Sequence, residues 1–115
     1  MKYIIYALVD PNTHQVRYVG QTRKTVAERL QGHLFPGKQH ESLPVYEWIR
    51  SLRPQQLIIV VLQEVEYEKI RKEGRYESSA AAAETKWMKR FERSRIFNSV
   101  NRNSGAYRRL VNPND

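Results

Sequence analysis

Apolar residues fall along this chain in several short patterned stretches, and each stretch predicts an element. Lys2 to Val9 is dense in Tyr, Ile and Val. It runs into Asp10-Pro11-Asn12-Thr13, where Pro pre-sets a turn angle and Asp and Asn bond their own backbone. Val16 to Gln21 resumes the β character, so the opening segment predicts an antiparallel hairpin with a loop longer than the tightest types. Thr25-Val26-Ala27-Glu28 has the capping-box pattern, which starts a helix there. Val26, Leu30 and Leu34 recur every four residues to face a core, while Arg29 and His33 share another face, and Phe35-Pro36-Gly37 ends the helix. Pro44 suits the first turn of a second helix, with Val45, Trp48, Ile49 and Leu52 as its apolar stripe and Pro54 just beyond its end. Leu57 to Leu62 is unbroken aliphatic sequence and predicts a strand covered on both faces, hence the central strand.

Glu66 to Glu77 is mostly charged and contains Gly74, which predicts a solvated, mobile loop with room for a helical turn. Ser78 or Ser79 then caps a third helix that opens on four alanines and runs to about Phe91 or Arg93. The order strand, strand, helix, helix, strand, helix places the chain in the α+β class. The expected architecture is a small, three-stranded, mainly antiparallel sheet flanked by three or more helices. One domain over 1–105 and a basic tail over 106–115 account for the length, which is too short for a second, separately folded targeting domain.

Charge changes the picture more than composition does. Lys and Arg number 20 against 12 Asp and Glu, a formal net charge of +8 in 115 residues, which favours a polyanionic partner, with nucleic acid ahead of an acidic membrane surface. Cysteine is absent, so disulfides, thiolate metal sites and cysteine nucleophiles are excluded. The longest apolar run is far short of the roughly 20 residues needed to span a bilayer. Met1-Lys2 leads into a strand-like segment without a signal-peptide pattern, and the expected location is the cytoplasm.

Glu84 stands where the pattern calls for an apolar residue. Ala80, Trp87, Met88 and Phe91 lie at −4, +3, +4 and +7 from it, so a carboxylate sits on the apolar stripe of the third helix. Burying an ionised carboxylate is costly without a partner. Either it holds a metal or lies at the lip of a cleft, or it is a rim residue paired with Lys86 or an Arg. Arg29 and His33 present the same choice between an anion-binding pair and a solvated face, and by pattern alone Tyr3, Tyr6 and Tyr18 are core aromatics. Taken together they match what phosphodiester hydrolysis requires: a carboxylate for a hard cation, a fixed positive charge for phosphate, and a Tyr or His to activate water. The chain has no clustered Asp set for two metals, no Gly-rich phosphate loop and no nucleophile-elbow serine.

Ile4-Ile5-Tyr6 and Arg17-Tyr18-Val19-Gly20-Gln21-Thr22 resemble the paired motifs that name the GIY-YIG endonucleases. Arg29 to His33 is similar to that family's first-helix motif, Glu84 to Met88 to its metal-binding helix, and Phe97-Asn98 to its closing aromatic-Asn element. The similarity runs in order from Met1 to about Gly105. Ile4 stands where the family has glycine, a change that a strand accommodates, and Val19 replaces Ile.

The resemblance implies a metal-dependent endonuclease that hydrolyses DNA phosphodiester bonds with a single Mg²⁺ or Mn²⁺ ion, with RNA the other nucleic acid open to it. It implies that Tyr6 lies near the attacking water with Tyr18 beside it, that Arg29 stabilises charge on the scissile phosphate, and that His33 assists proton transfer or orients the phosphate. Glu84 would bind the metal and Asn98 would order the site, with Asn101 the lesser candidate for that role; Gly20 would permit close backbone approach. Lys86, Lys89, Arg90, Arg93, Arg95, Arg102, Arg108 and Arg109 are candidates for steering the nucleic-acid backbone, each weighed against an ordinary solvated charge. The other reading is a catalytically silent module of the same fold that binds nucleic acid and acts with a partner. Specificity would come from the core, a homodimer or a targeting partner, in a bacterial or phage-infected cell, and mobile-element transfer, repair, restriction and host-genome attack by a phage are all open as roles.

Overall fold

A computed structural model describes residues 1–37, 42–52, 56–91 and 96–98. Strands β1 (Lys2–Val9) and β2 (Val16–Thr22) form the expected hairpin. Its loop is tied by Asp10, whose Oδ1 accepts from the amides of Asn12 and Thr13 at 2.7 and 3.2 Å. Helix α1 (Val26–Leu34) starts at the predicted capping box: the Thr25 side chain accepts from the Glu28 amide, and Glu28 reaches back to the Thr25 amide. Helix α2 (Pro44–Ser51) has Pro at its first position. Strand β3 (Ile58–Glu66), strands β4 (Lys69–Lys72) and β5 (Arg75–Ser78), and helix α3 (Ser79–Met88) complete the order. Among the described residues no helix is long and apolar enough to cross a membrane.

The expected α+β class is what the chain adopts: a three-stranded antiparallel sheet in the order β2-β1-β3, with helices on it. Alternation along β1 sends Ile4, Tyr6 and Leu8 to one face and Ile5 and Ala7 to the other. The first face is covered by α1 and α2, in a core of Tyr6, Leu8, Leu43, Val45, Tyr46, Ile49 and Leu57. The second is covered by α3. Gln21 and Gln63 flank Ile5 across the sheet, and both bond this helix, Gln21 to Glu84 and Gln63 to Trp87, each at 2.8 Å.

Three expectations need correction. The central strand is β1, not the Leu57–Leu62 segment, and β3 is an edge strand whose Ile58, Val60 and Val61 are exposed. An aliphatic run does not distinguish an edge from a centre, and a bulge leaves Leu62 without a register partner between Gln63 and Val61, which shifts the alternation. The charged Glu66–Glu77 segment is not a loop but carries the end of β3 and the β4–β5 hairpin, turned at Glu73 and Gly74. Helix α3 stops at Met88, capped by Lys89, short of the expected Phe91 or Arg93. Pro54 and the tail from Asn101 onward lie outside the described residues.

Candidate functional site

Tyr6 projects from the central strand toward α1, and the helix brings two groups to its hydroxyl. His33 Nε2 lies 2.7 Å away and Arg29 Nε donates to the same oxygen at 2.9 Å. The four-residue step between Arg29 and His33 puts both on one face of α1, and the capping box fixes where that helix begins. Tyr18, two residues before Gly20 on β2, shares this face of the sheet. Its ring centroid is 6.4 Å from Tyr6 and 5.6 Å, edge-on, from His33. Tyr46 of α2 completes the wall, 5.9 Å from the His33 ring. Four of the six expected site residues, Tyr6, Tyr18, Arg29 and His33, thus converge.

Gly20 makes the convergence sterically possible. It is the register partner of Tyr6, and a Cβ built on it would stand 2.5 Å from Tyr6 Cζ, inside the phenol. The ring lies directly over the glycine, so the expected close approach is made by a side chain of the same sheet.

Burial sets the protonation states. Tyr6 is completely buried, which pushes its pKa up to about 12 against the opposing pull of the Arg29 guanidinium. Burial and the nearby Arg29 charge press His33 down to about 3. Its Nδ1 is buried with no hydrogen-bond partner among the described residues, and protonation would add a charge without a new bond. At neutral pH the pair is therefore phenol and neutral imidazole. Burial works against the Arg29 charge, yet Tyr6, Tyr18 and Tyr46 together hold its pKa above the ordinary value. Tyr6 and His33 form the floor, while half-buried Arg29 and Tyr18 are the groups a ligand can meet.

Glu84 approaches from the other layer. It is 4% exposed on the sheet-facing side of α3, and its Oε2 accepts from Gln21 Nε2. Gly20 and Gln21 are neighbours on edge strand β2, one lying under Tyr6 and the other bonded to Glu84. The Glu84 charge adds to the upward push on Tyr6. As a single buried carboxylate it suits a hard cation that keeps most of its ligands as water and phosphate oxygen. Among the described residues no three His, Asp or Glu side chains group as a metal cage.

Asn98 is buried and acts on backbone. Its Oδ1 accepts from the Val19 amide at 2.7 Å and its Nδ2 donates to the Val19 carbonyl at 2.6 Å, closing the outer edge of β2 between Tyr18 and Gly20. In comparisons with protein-family models, characterised proteins and solved structures, this chain finds no match. The family likeness rests on the motif residues alone. Of the expected backbone-steering cations, Lys86, Lys89 and Arg90 are on α3 and just beyond it, whereas Arg93, Arg95, Arg102, Arg108 and Arg109, like Asn101, lie outside the described residues.

Two contributors escaped the sequence reading. Tyr46 carries no motif and reads as one more residue of an amphipathic helix, so nothing marked it. Gln21 carried a signal: alternation after Gly20 points it at the layer opposite Tyr6, where a buried carboxylate needs a donor.

Proposed function

We propose that this chain is a small metal-dependent endonuclease that hydrolyses a DNA phosphodiester bond with one divalent ion, in the manner of the GIY-YIG nucleases its motifs resemble. The observation that carries the reading is the Tyr6 hydroxyl bonded by both Arg29 and His33. A guanidinium whose Nε is fixed by a buried phenol is a preorganised positive charge, and such charges supply most of the stabilisation in phosphoryl-transfer catalysis.

Each residue has a role that follows from its surroundings. Arg29 engages Tyr6 through Nε and turns its Nη nitrogens to a non-bridging phosphate oxygen. Tyr18, half-buried beside it, positions the phosphate or the attacking water. Tyr6, neutral at physiological pH, holds Arg29 in place and shares a hydrogen bond with His33 Nε2. Glu84 would hold the ion, Mg²⁺ or Mn²⁺, with Gln21 orienting the carboxylate, and the bound ion would supply Lewis-acid charge at the scissile phosphate. Asn98 keeps β2 in register beneath Tyr18.

The complete burial of Tyr6 and near-complete burial of Glu84 favour a second reading. In it the same arrangement has become structural, and the chain is a silent nucleic-acid-binding module that acts with a partner. Supercoiled plasmid incubated with purified protein, with and without Mg²⁺ or Mn²⁺, separates the two. The nuclease reading predicts nicked and linear products only with the ion, and a loss of at least about a hundredfold in rate for Arg29→Ala and Glu84→Ala, with binding retained in Glu84→Ala. No cutting by the wild-type protein, or full cutting by Glu84→Ala, overturns it.

A further inference from the structure

The β4–β5 hairpin belongs to none of the motifs, yet its chemistry is specific. It is a two-stranded ribbon turned by Glu73 and Gly74, both at positive φ, 52° and 78°, as a tight type I′ connection requires. Its base is firmly tied. Ser78 caps α3 by accepting from the Ala81 amide, and Ser79 Oγ donates to the Glu66 carbonyl and accepts from the Glu68 amide. A ribbon anchored to both a strand and a helix is a stiff arm.

Register sorts its side chains. Arg71 faces Tyr76 and Lys69 faces Ser78, so one face of the arm carries two cations and an aromatic ring with no acidic residue. Tyr76 is 73% exposed, a position with no packing value for the fold. The other face includes Ile70 and Glu77, and Glu77 helps line a cleft of about 390 Å³ against α3. Lys86, Lys89 and Arg90 line the same cleft. Arg90 is aimed by its stack over Trp87, 4.6 Å from the ring, which is itself held by Gln63. The ion pairs Met1–Glu66 and Lys2–Glu64 involve neither the arm's cations nor those of the cleft.

We propose that the arm and cleft form a second grip on duplex DNA, separate from the site around Tyr6: the Arg71–Tyr76 face enters the major groove while Lys86, Lys89 and Arg90 hold adjoining phosphates. A two-stranded ribbon matches the width of the B-form major groove, and the deep, narrow groove of A-form RNA shuts it out. The cleft residues occupy the side of α3 opposite Glu84, so this grip positions the duplex without belonging to the reacting centre. Contacts of this kind fix the register of the protein on the duplex. The inference rests on the nucleic-acid reading above but not on cutting.

Binding of the full chain to DNA and RNA duplexes of two helical turns, in Mg²⁺-free buffer over a salt series, tests it. Arg71→Ala combined with Tyr76→Ala is expected to weaken DNA binding by about tenfold or more. Lys89→Ala with Arg90→Ala is expected to make the slope of log K against log salt shallower by about 0.9 for each phosphate that the protein no longer neutralises. Arg71→Glu, which leaves Tyr76 in place, should weaken binding as well, and all variants should keep the wild-type unfolding midpoint because the side chains lie outside the core. Wild-type DNA affinity in the arm variants, or equal affinity for the RNA duplex, overturns the proposal. A protein that binds through the arm yet cuts nothing refutes only the nuclease reading, and a wild-type protein that binds neither duplex refutes both.

Discussion

At the scale of single residues, one missing side chain decides whether the site exists. Tyr6 needs the volume above β2 that any residue but glycine would fill, since a Cβ at position 20 would meet three atoms of the phenol. Backbone conformation is not the reason, because Gly20 lies in an ordinary strand. Gly20→Ala is therefore expected to displace the Tyr6 ring, break its bonds to Arg29 and His33, and destabilise the fold by about 1–3 kcal/mol, the usual cost of overpacking. Urea unfolding measures the stability, and the Tyr6 environment can be followed by near-ultraviolet circular dichroism. An alanine variant with wild-type stability would mean that the ring does not rest on Gly20. The spacing of Tyr18, Gly20, Arg29 and His33 was readable because each lies in a regular element whose period fixes its face. Tyr46 was not, because only the packing of α2 brings it to His33, and no local pattern carries that information.

Elements were legible where a backbone end carries its own chemistry. The Thr25–Glu28 box and Pro44 mark helix starts by satisfying or removing otherwise orphaned amides, so α1 and α2 begin where the residues say. The same segment of α1 carries both Arg29 and His33, so a frayed start would loosen the site from one end. Thr25→Ala is expected to cost about 1 kcal/mol of stability, and Thr25→Ser much less, since serine keeps the accepting hydroxyl. Equal losses for the two would show that the methyl group matters rather than the cap. Strands were less legible. Six consecutive aliphatic residues describe a strand but not its neighbours, and β3 at the edge exposes Ile58, Val60 and Val61 despite its composition. The β4–β5 ribbon was hidden because its alternation is between charged residues, leaving Glu73-Gly74 as the one local sign of a tight turn.

For the whole molecule, the Tyr6–Arg29–His33 cluster packs on one face of the sheet while Glu84 reaches edge strand β2 from the other layer, near enough for its charge to act on Tyr6, and the cluster's burial links the site to global stability. Unfolding releases His33 from about 3 to its ordinary value near 6.5. Between those values the unfolded chain binds a proton that the folded chain refuses, so stability rises with pH across that window, is fully present above about 6.5, and is lost as pH falls toward about 3. Each unit within the window removes up to about 1.4 kcal/mol, a large share of a small domain's total. His33→Gln keeps an acceptor in reach of the Tyr6 hydroxyl but cannot titrate, so its acid unfolding curve should be shallower by close to one proton. Denaturant titrations at several pH values from neutrality downward give that slope directly. If wild type and His33→Gln lose stability in parallel, the imidazole is not buried in neutral form, and the phenol–imidazole–guanidinium arrangement on which Arg29 depends is not the resting state of the site.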